Sequence, residues 1–188
     1  MVTTTQRAIV VPPGPPSSPR LVLAPARADR AVLDGGWWPR SRDPVAELPG
    51  LVLTLAARYG PIRRLMLSSA GWDTHFHFRR LAVGADVIRA GWFATVDPGV
   101  LIATTDRGNQ LDLLVVPPDM TDAAARSAMF TAADPVNRMR APAILAALAA
   151  APAADDGAGT DPVAVWDNEG GHGAATRAAR TAADLTVA

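Results

Sequence analysis

The chain has 188 residues, with 18 basic and 18 acidic side chains, and therefore carries no formal net charge at pH 7. Its hydrophobic content of 49% is enough for one compact core. Zero net charge excludes a general attraction to nucleic acids or acidic membranes, and the absence of cysteine excludes disulfides and thiolate sites. Because the apolar runs are too short for a secretory signal or a membrane span, we expect a soluble, cytoplasmic protein with no membrane partner.

Composition divides the chain into three regions. Residues 1–19 include VVPPGPPSSP, which favours an extended, disordered tail. Residues 20–151 are predicted to form a single globular domain that starts with a short strand in RLVLAP. Residues 152–188 are rich in Ala, Gly, Asp and Thr, so we expect a low-complexity, mobile tail there.

The first helix is predicted from Asp43 to Tyr59. Asp43 followed by Pro44 is a typical helix start, apolar residues then recur every three or four positions, and Gly60 with Pro61 ends the pattern. Pro49 and Gly50 predict a kink or a separated first turn.

An alternating pattern from residue 62 onward predicts a sheet. We place strands at about 62–68, 75–83, 86–94, 99–104 and 110–116, followed by helices at about 121–133 and 142–151. Because the connections between these strands are too short for helical crossovers, antiparallel neighbours are expected. The predicted fold is an α+β domain: an antiparallel sheet of about six strands with helices on one face, and a curled small barrel as the alternative.

The stretch LDGGWWPRSRD, residues 33–43, concentrates aromatic and charged side chains at the corner before the first helix. Adjacent residues of an extended chain point to opposite sides, so we expect one of Trp37 and Trp38 to be buried against that helix. The other should be partly exposed near Arg40 or Arg42. Such clusters are usually structural, but an exposed tryptophan beside an arginine can also bind a planar or anionic ligand. The candidate ligand-binding residues are Asp34, Trp37, Trp38, Arg40, Arg42 and Arg89.

Together with AELPGL, GWF followed by DP, and LDLLVVPP, this stretch resembles an actinobacterial family catalogued as a domain of unknown function. The resemblance covers roughly residues 20–133. It implies no activity, cofactor or catalytic residue, and the long C-terminal tail is a departure from the family as a whole.

A second group of residues lies in WDTHFHF. On a strand, Asp73, His75 and His77 project to one face, and two imidazoles with one carboxylate can bind a metal ion. Two histidines this close in sequence are more often part of a solvated strand face. A metal-binding protein or metal-dependent enzyme is therefore an alternative, and no cofactor is expected otherwise.

A third group would make one face of the sheet basic. Arg64, Arg79 and Arg89 share that face if their strands pair, which suits a small anion or a nucleic acid. In this alternative the protein associates with nucleic acid or the ribosome, although neutral net charge disfavours it; Arg40 and Arg42 would contribute. Because no catalytic signature occurs, the leading hypothesis is a non-enzymatic binding or regulatory module with a protein or small-molecule partner.

Overall fold

The computed structural model describes residues 8–25, 31–73 and 77–150. Its three helices are α1 (Pro44–Tyr59), α2 (Asp122–Ala133) and α3 (Ala141–Ala150). Its strands are β1 (Ile9–Val10), β2 (Arg20–Leu23), β3 (Gly35–Trp38), β4 (Ile62–Ser68), β5 (Arg80–Val83), β6 (Asp86–Phe93), β7 (Val100–Thr105) and β8 (Gln110–Val115). The α+β class and all three helices are confirmed. The predicted tail at 152–188 lies outside the described residues.

The strands form one eight-stranded mixed sheet in the order β1-β5-β6-β4-β7-β8-β3-β2. Three neighbouring pairs are parallel, β1 with β5, β4 with β6, and β3 with β8, and the other four are antiparallel. β1 and β2 are the two outer strands and do not pair with each other, so the sheet is open. The antiparallel six-stranded sheet and the barrel alternative were therefore wrong.

The parallel pairs arise because consecutive strands need not be neighbours. β4 lies between β6 and β7 in the sheet. The connection from β6 to β7, residues 94–99, therefore passes over one end of β4. Neighbouring strands are about 4.8 Å apart, and a few extended residues span two such spacings. β6 and β7 still run in opposite directions, but each of them pairs with β4, one parallel and one antiparallel.

The helices cover both faces of the sheet rather than one, which corrects the prediction. The main core packs α1, through Leu48, Leu51 and Leu55, against the inward side chains of the central strands. A second, smaller core lies on the other face, where α2 and α3 cover Trp38, Leu114 and other residues of β3 and β8. The end of β8 and the residue after it are consecutive buried apolar residues, 113–116, as expected for a strand covered on both faces.

Helix α1 starts as predicted, with the Asp43 side chain accepting hydrogen bonds from the backbone N–H groups of Val45 (2.8 Å) and Ala46 (3.4 Å). It continues through Pro49 as one helix. Gly50 lies directly beneath the N-terminal segment, because a Cβ there would overlap the carbonyl oxygen of Ser17. The glycine therefore allows the segment to cross the helix closely.

Residues 8–19 differ from the predicted disordered tail. β1 pairs with β5, and Arg40 donates a hydrogen bond of 2.7 Å to the carbonyl oxygen of Ser18. The extended conformation that proline imposes is also the conformation of an edge strand, so the composition did not exclude these contacts. Within the described ranges, no helix is long and apolar enough to cross a membrane.

Candidate functional site

The two tryptophans of the corner lie on opposite faces of β3, as the sequence predicted. Trp37 is fully buried in the main core with α1, and its ring stacks on Trp72 with centroids 5.6 Å apart. Trp72 is itself buried. Trp37 therefore joins the strand, the helix and the loop after β4 through apolar contact.

The prediction that the second tryptophan is exposed was wrong, since Trp38 keeps only 5% of its surface accessible. It lies in the second core with α2, and the guanidinium of Arg20 covers its ring at 3.3 Å. Arg20 also donates to the carbonyl oxygens of Trp38 (3.1 Å) and Pro39 (2.7 Å). Burial, followed by the nearby charge of Arg40, lowers the pKa of Arg20, yet a guanidinium stays charged at neutral pH.

The charged residues of the corner bind other parts of the same chain. Asp34 is buried and accepts a hydrogen bond of 2.9 Å from the backbone N–H of Asp112 on β8. Arg40 binds the N-terminal segment, as described above. Arg42 and Asp119 form an ion pair at 3.4 Å between two largely exposed side chains, which contributes little stability. The corner thus has extensive internal bonding.

A small cavity of about 210 Å³ lies beside this corner. Its walls are mostly apolar and include Trp72 and Leu145, while Ser41 and Arg42 are the polar side chains at its edge. The other lining residues are Pro39, Gly71, Pro98, Gly99, Val115, Pro117 and Pro118. The aromatic residue at this cavity is Trp72, which the sequence analysis did not include among the candidates.

Two of the three residues predicted to bind a metal ion, Asp73 and His77, lie within the described ranges. Asp73 and His77 lie outside any strand, because β5 begins only at Arg80, and His75 lies outside the described residues. Asp73 instead donates its backbone N–H to the carbonyl oxygen of Arg42. Among the residues that the structure describes, no group of three potential metal-ligating side chains occurs.

Three arginines stand in direct cross-strand register on the second face of the sheet. Arg80 of β5 is opposite Arg89 of β6, and Arg89 is opposite Arg64 of β4. Strand spacing places their Cα atoms within about 10 Å of one another. We call Arg64, Arg80 and Arg89 the arginine row; all three side chains are exposed.

The arginine row lies on the half of this face that the helices leave open. In the described part of the chain, the second core contains no residue of β4, β5 or β6. The row borders an open depression of about 680 Å³, whose lining adds Arg79 and His77. No carboxylate side chain of the described residues lines it. No ion pair joins an arginine of this depression to an acidic side chain of the described residues. A neutral protein therefore presents a locally basic surface.

Aromatic side chains adjoin this basic surface. Phe93 keeps 42% of its surface accessible and lies on the same strand face as Arg89. Its ring lies over Gly91: a Cβ on that glycine would be 2.6 Å from the ring. Nearby, the imidazole of His77 stacks on Trp92 at 4.2 Å, and its Nε2 is buried with no hydrogen-bond partner in the described ranges.

Arg64, Arg79 and Arg89 were predicted to share this face, and the structure brings them together at one depression. Arg80 and Phe93 were not predicted. The register of β5 and the position of Phe93 over Gly91 both depend on which strands pair. Arg40 and Arg42 lie at the corner and do not line the depression.

Comparison with known protein families matches residues 20–132 to a family described as "Family of unknown function (DUF5994)". The match contains both the corner and the arginine row. Neither the curated proteins nor the solved structures provide a match to the chain.

Proposed function

The chain belongs to this DUF5994 family of unknown function, and from its geometry we propose that the protein is a binding module that binds a polyanion at the arginine row. The register of Arg80, Arg89 and Arg64 on three adjacent strands is the single observation that supports this function best. The proposal favours the basic sheet face over the tryptophan corner as the binding site.

Like charges directly opposite one another on neighbouring strands reduce the stability of a sheet. A fold that needed only a solvated outer face would be more stable with mixed charges there. Here Arg79 adds a fourth positive charge at the same depression. Phosphate and carboxylate groups match the planar guanidinium fork, so a polyanion would neutralise this surface through two-point hydrogen bonds.

Retention on immobilised heparin at low ionic strength tests the proposal. We expect the 188-residue chain to be retained, and a variant with Arg64→Gln, Arg80→Gln and Arg89→Gln to pass through. The control variant carries Arg107→Gln, Arg126→Gln and Arg140→Gln, three exposed arginines outside the depression. It has the same net charge as the row variant, so the comparison separates local geometry from total charge.

The control variant should elute from heparin at nearly the same salt concentration as the wild-type protein, because screening limits the effect of distant charges. Passage of the wild-type protein through the column at low salt would contradict the proposal. Equal loss of retention by the two variants would also contradict it, since total charge alone would then explain binding.

A second candidate function is binding of a small apolar carboxylate in the corner cavity. The observation in its favour is the combination of an apolar wall containing Trp72 with the guanidinium of Arg42 at the edge. Titration with benzoate, followed by tryptophan fluorescence, tests it. We expect saturable quenching that Arg42→Gln abolishes and that the row variant retains; quenching that is linear in benzoate would reject the site.

A further inference from the structure

We infer that the polyanion bound at the arginine row is a single-stranded nucleic acid and that Phe93 stacks on one of its bases. This inference rests on the proposed function, because it assigns the ligand class of the same depression. It also assigns Phe93 a stacking role, which a purely electrostatic contact with a polyanion would not need.

Phe93 presents an exposed aromatic ring on the open sheet face. It lies two residues beyond Gly91, which leaves space for the ring. An exposed aromatic ring held on a sheet beside arginines is the arrangement with which proteins bind unpaired bases. Arg89, four residues earlier on the same strand, places a guanidinium on the same face for a backbone phosphate.

Among the described residues, the lining of the depression offers guanidinium groups, one imidazole and aromatic rings, but no Asn, Gln, Ser or Thr side chain. A site that recognises a free nucleotide usually has such polar groups and a more enclosed shape. Cationic and stacking contacts instead suit a polymer bound with little sequence preference.

The geometry of the row favours a single strand over a duplex. The bases of a duplex are stacked on each other and leave no face for Phe93. The arginine row is also short, about 10 Å between its outer Cα atoms, and follows the strands' hydrogen-bonding direction across an open sheet. Such a row can contact the flexible backbone of a single strand, whose phosphates adjust to the arginines.

Fluorescence anisotropy with a labelled oligothymidylate of about 12 nucleotides tests the inference. We expect Phe93→Leu, which keeps an apolar side chain but removes the ring, to weaken binding about 5-fold to 100-fold. Phe93→Trp should restore it. Phe130→Leu is the matched control, because Phe130 is an exposed phenylalanine on α2, outside the depression, and should leave the affinity unchanged.

Heparin retention separates the two proposals. If Phe93→Leu lowers the affinity for oligothymidylate but not retention on heparin, the stacking role is supported. If the wild-type protein binds neither probe, the proposed function itself fails. If it binds heparin, three results overturn only the inference: equal affinity for a duplex of the same length, an unchanged affinity of Phe93→Leu, or full displacement by thymidine monophosphate at equal nucleotide concentration.

Discussion

The corner at residues 33–43 and the arginine row contain similar residue types, yet they use them in opposite ways. At the corner both tryptophans are buried, and arginine and aspartate side chains hydrogen-bond to other parts of the chain. At the row, the arginines are exposed, and no ion pair joins them to a described acidic side chain. The cluster that is conspicuous in the sequence is thus largely hydrogen-bonded within the chain, whereas dispersed arginines form the leading candidate site.

Polar groups without internal partners remain available to a ligand, and this criterion favours the row over the corner as the proposed site. Arg20 of β2 donates hydrogen bonds to two carbonyl oxygens of the corner, and its guanidinium also covers the ring of Trp38. Arg89 has a like charge on each side. Substitutions should therefore affect stability at the corner and binding at the row.

The largest effect is expected from truncating either tryptophan. Trp37→Ala and Trp38→Ala should each reduce the free energy of unfolding by about 3 to 5 kcal/mol, because each leaves a large cavity in a core. Urea denaturation followed by circular dichroism measures the losses, with Phe130→Ala as the exposed aromatic control. An unchanged midpoint for Trp38→Ala would mean that the second face of β3 is accessible after all.

Because the corner packs closely on α2, Gly36→Ala should lower the free energy of unfolding, but by less than the tryptophan variants do. A Cβ at Gly36 would be 2.6 Å from the Cα of Met129, so strand and helix must separate, at a cost of about 1 to 3 kcal/mol. Gly14→Ala is the control, since a Cβ there meets no atom within 4 Å. Equal urea midpoints for the two variants would show that α2 does not pack on this strand as described.

The helix cap predicts a loss of about 1 kcal/mol for Asp43→Ala, because the backbone N–H groups at the start of α1 lose their acceptor. Thr121 is the matched control, since it precedes α2 without capping it through its side chain. Thr121→Ala should leave the urea midpoint nearly unchanged. A larger loss for Thr121→Ala than for Asp43→Ala would contradict this assignment of the cap.

The smallest effect on stability is expected at the row. Arg89→Gln should change the free energy of unfolding by less than about 0.5 kcal/mol, because an exposed charge is replaced and a like-charge contact is relieved. The same variant should lower the salt concentration that elutes the protein from heparin. A loss of stability comparable to that of Asp43→Ala would assign Arg89 a structural role and remove the contrast between the two regions.

Much of the local structure was evident in the sequence. Apolar spacing predicted α1 and α2 with their boundaries, and the alternation placed β4, β6, β7 and β8 within about a residue. Strand geometry also correctly predicted that Trp37 and Trp38 point to opposite faces. These features depend on residues that are close along the chain, where backbone periodicity alone fixes which side chains share a face.

Features that depend on strand order were not evident. β1 and β3 were missed as strands, the parallel pairs were not expected, and helices were placed on one face only. The prediction that the second tryptophan is exposed was wrong for the same reason. Trp38 is buried because α2 lies across its face of β3. The spacing of residues in the sequence does not indicate which helix covers a given face of the sheet.

The sequence by itself determined the helices, most of the strands, the neutral total charge and the presence of arginines at 64, 80 and 89. Only the tertiary structure placed these three side chains opposite one another, because β4 pairs with β6 although β5 separates them along the chain. Which distant strands pair depends on how the apolar sheet faces are buried against the helices, and spacing along the chain does not reveal it. That global constraint determines which side chains are covered and which remain free to bind a ligand.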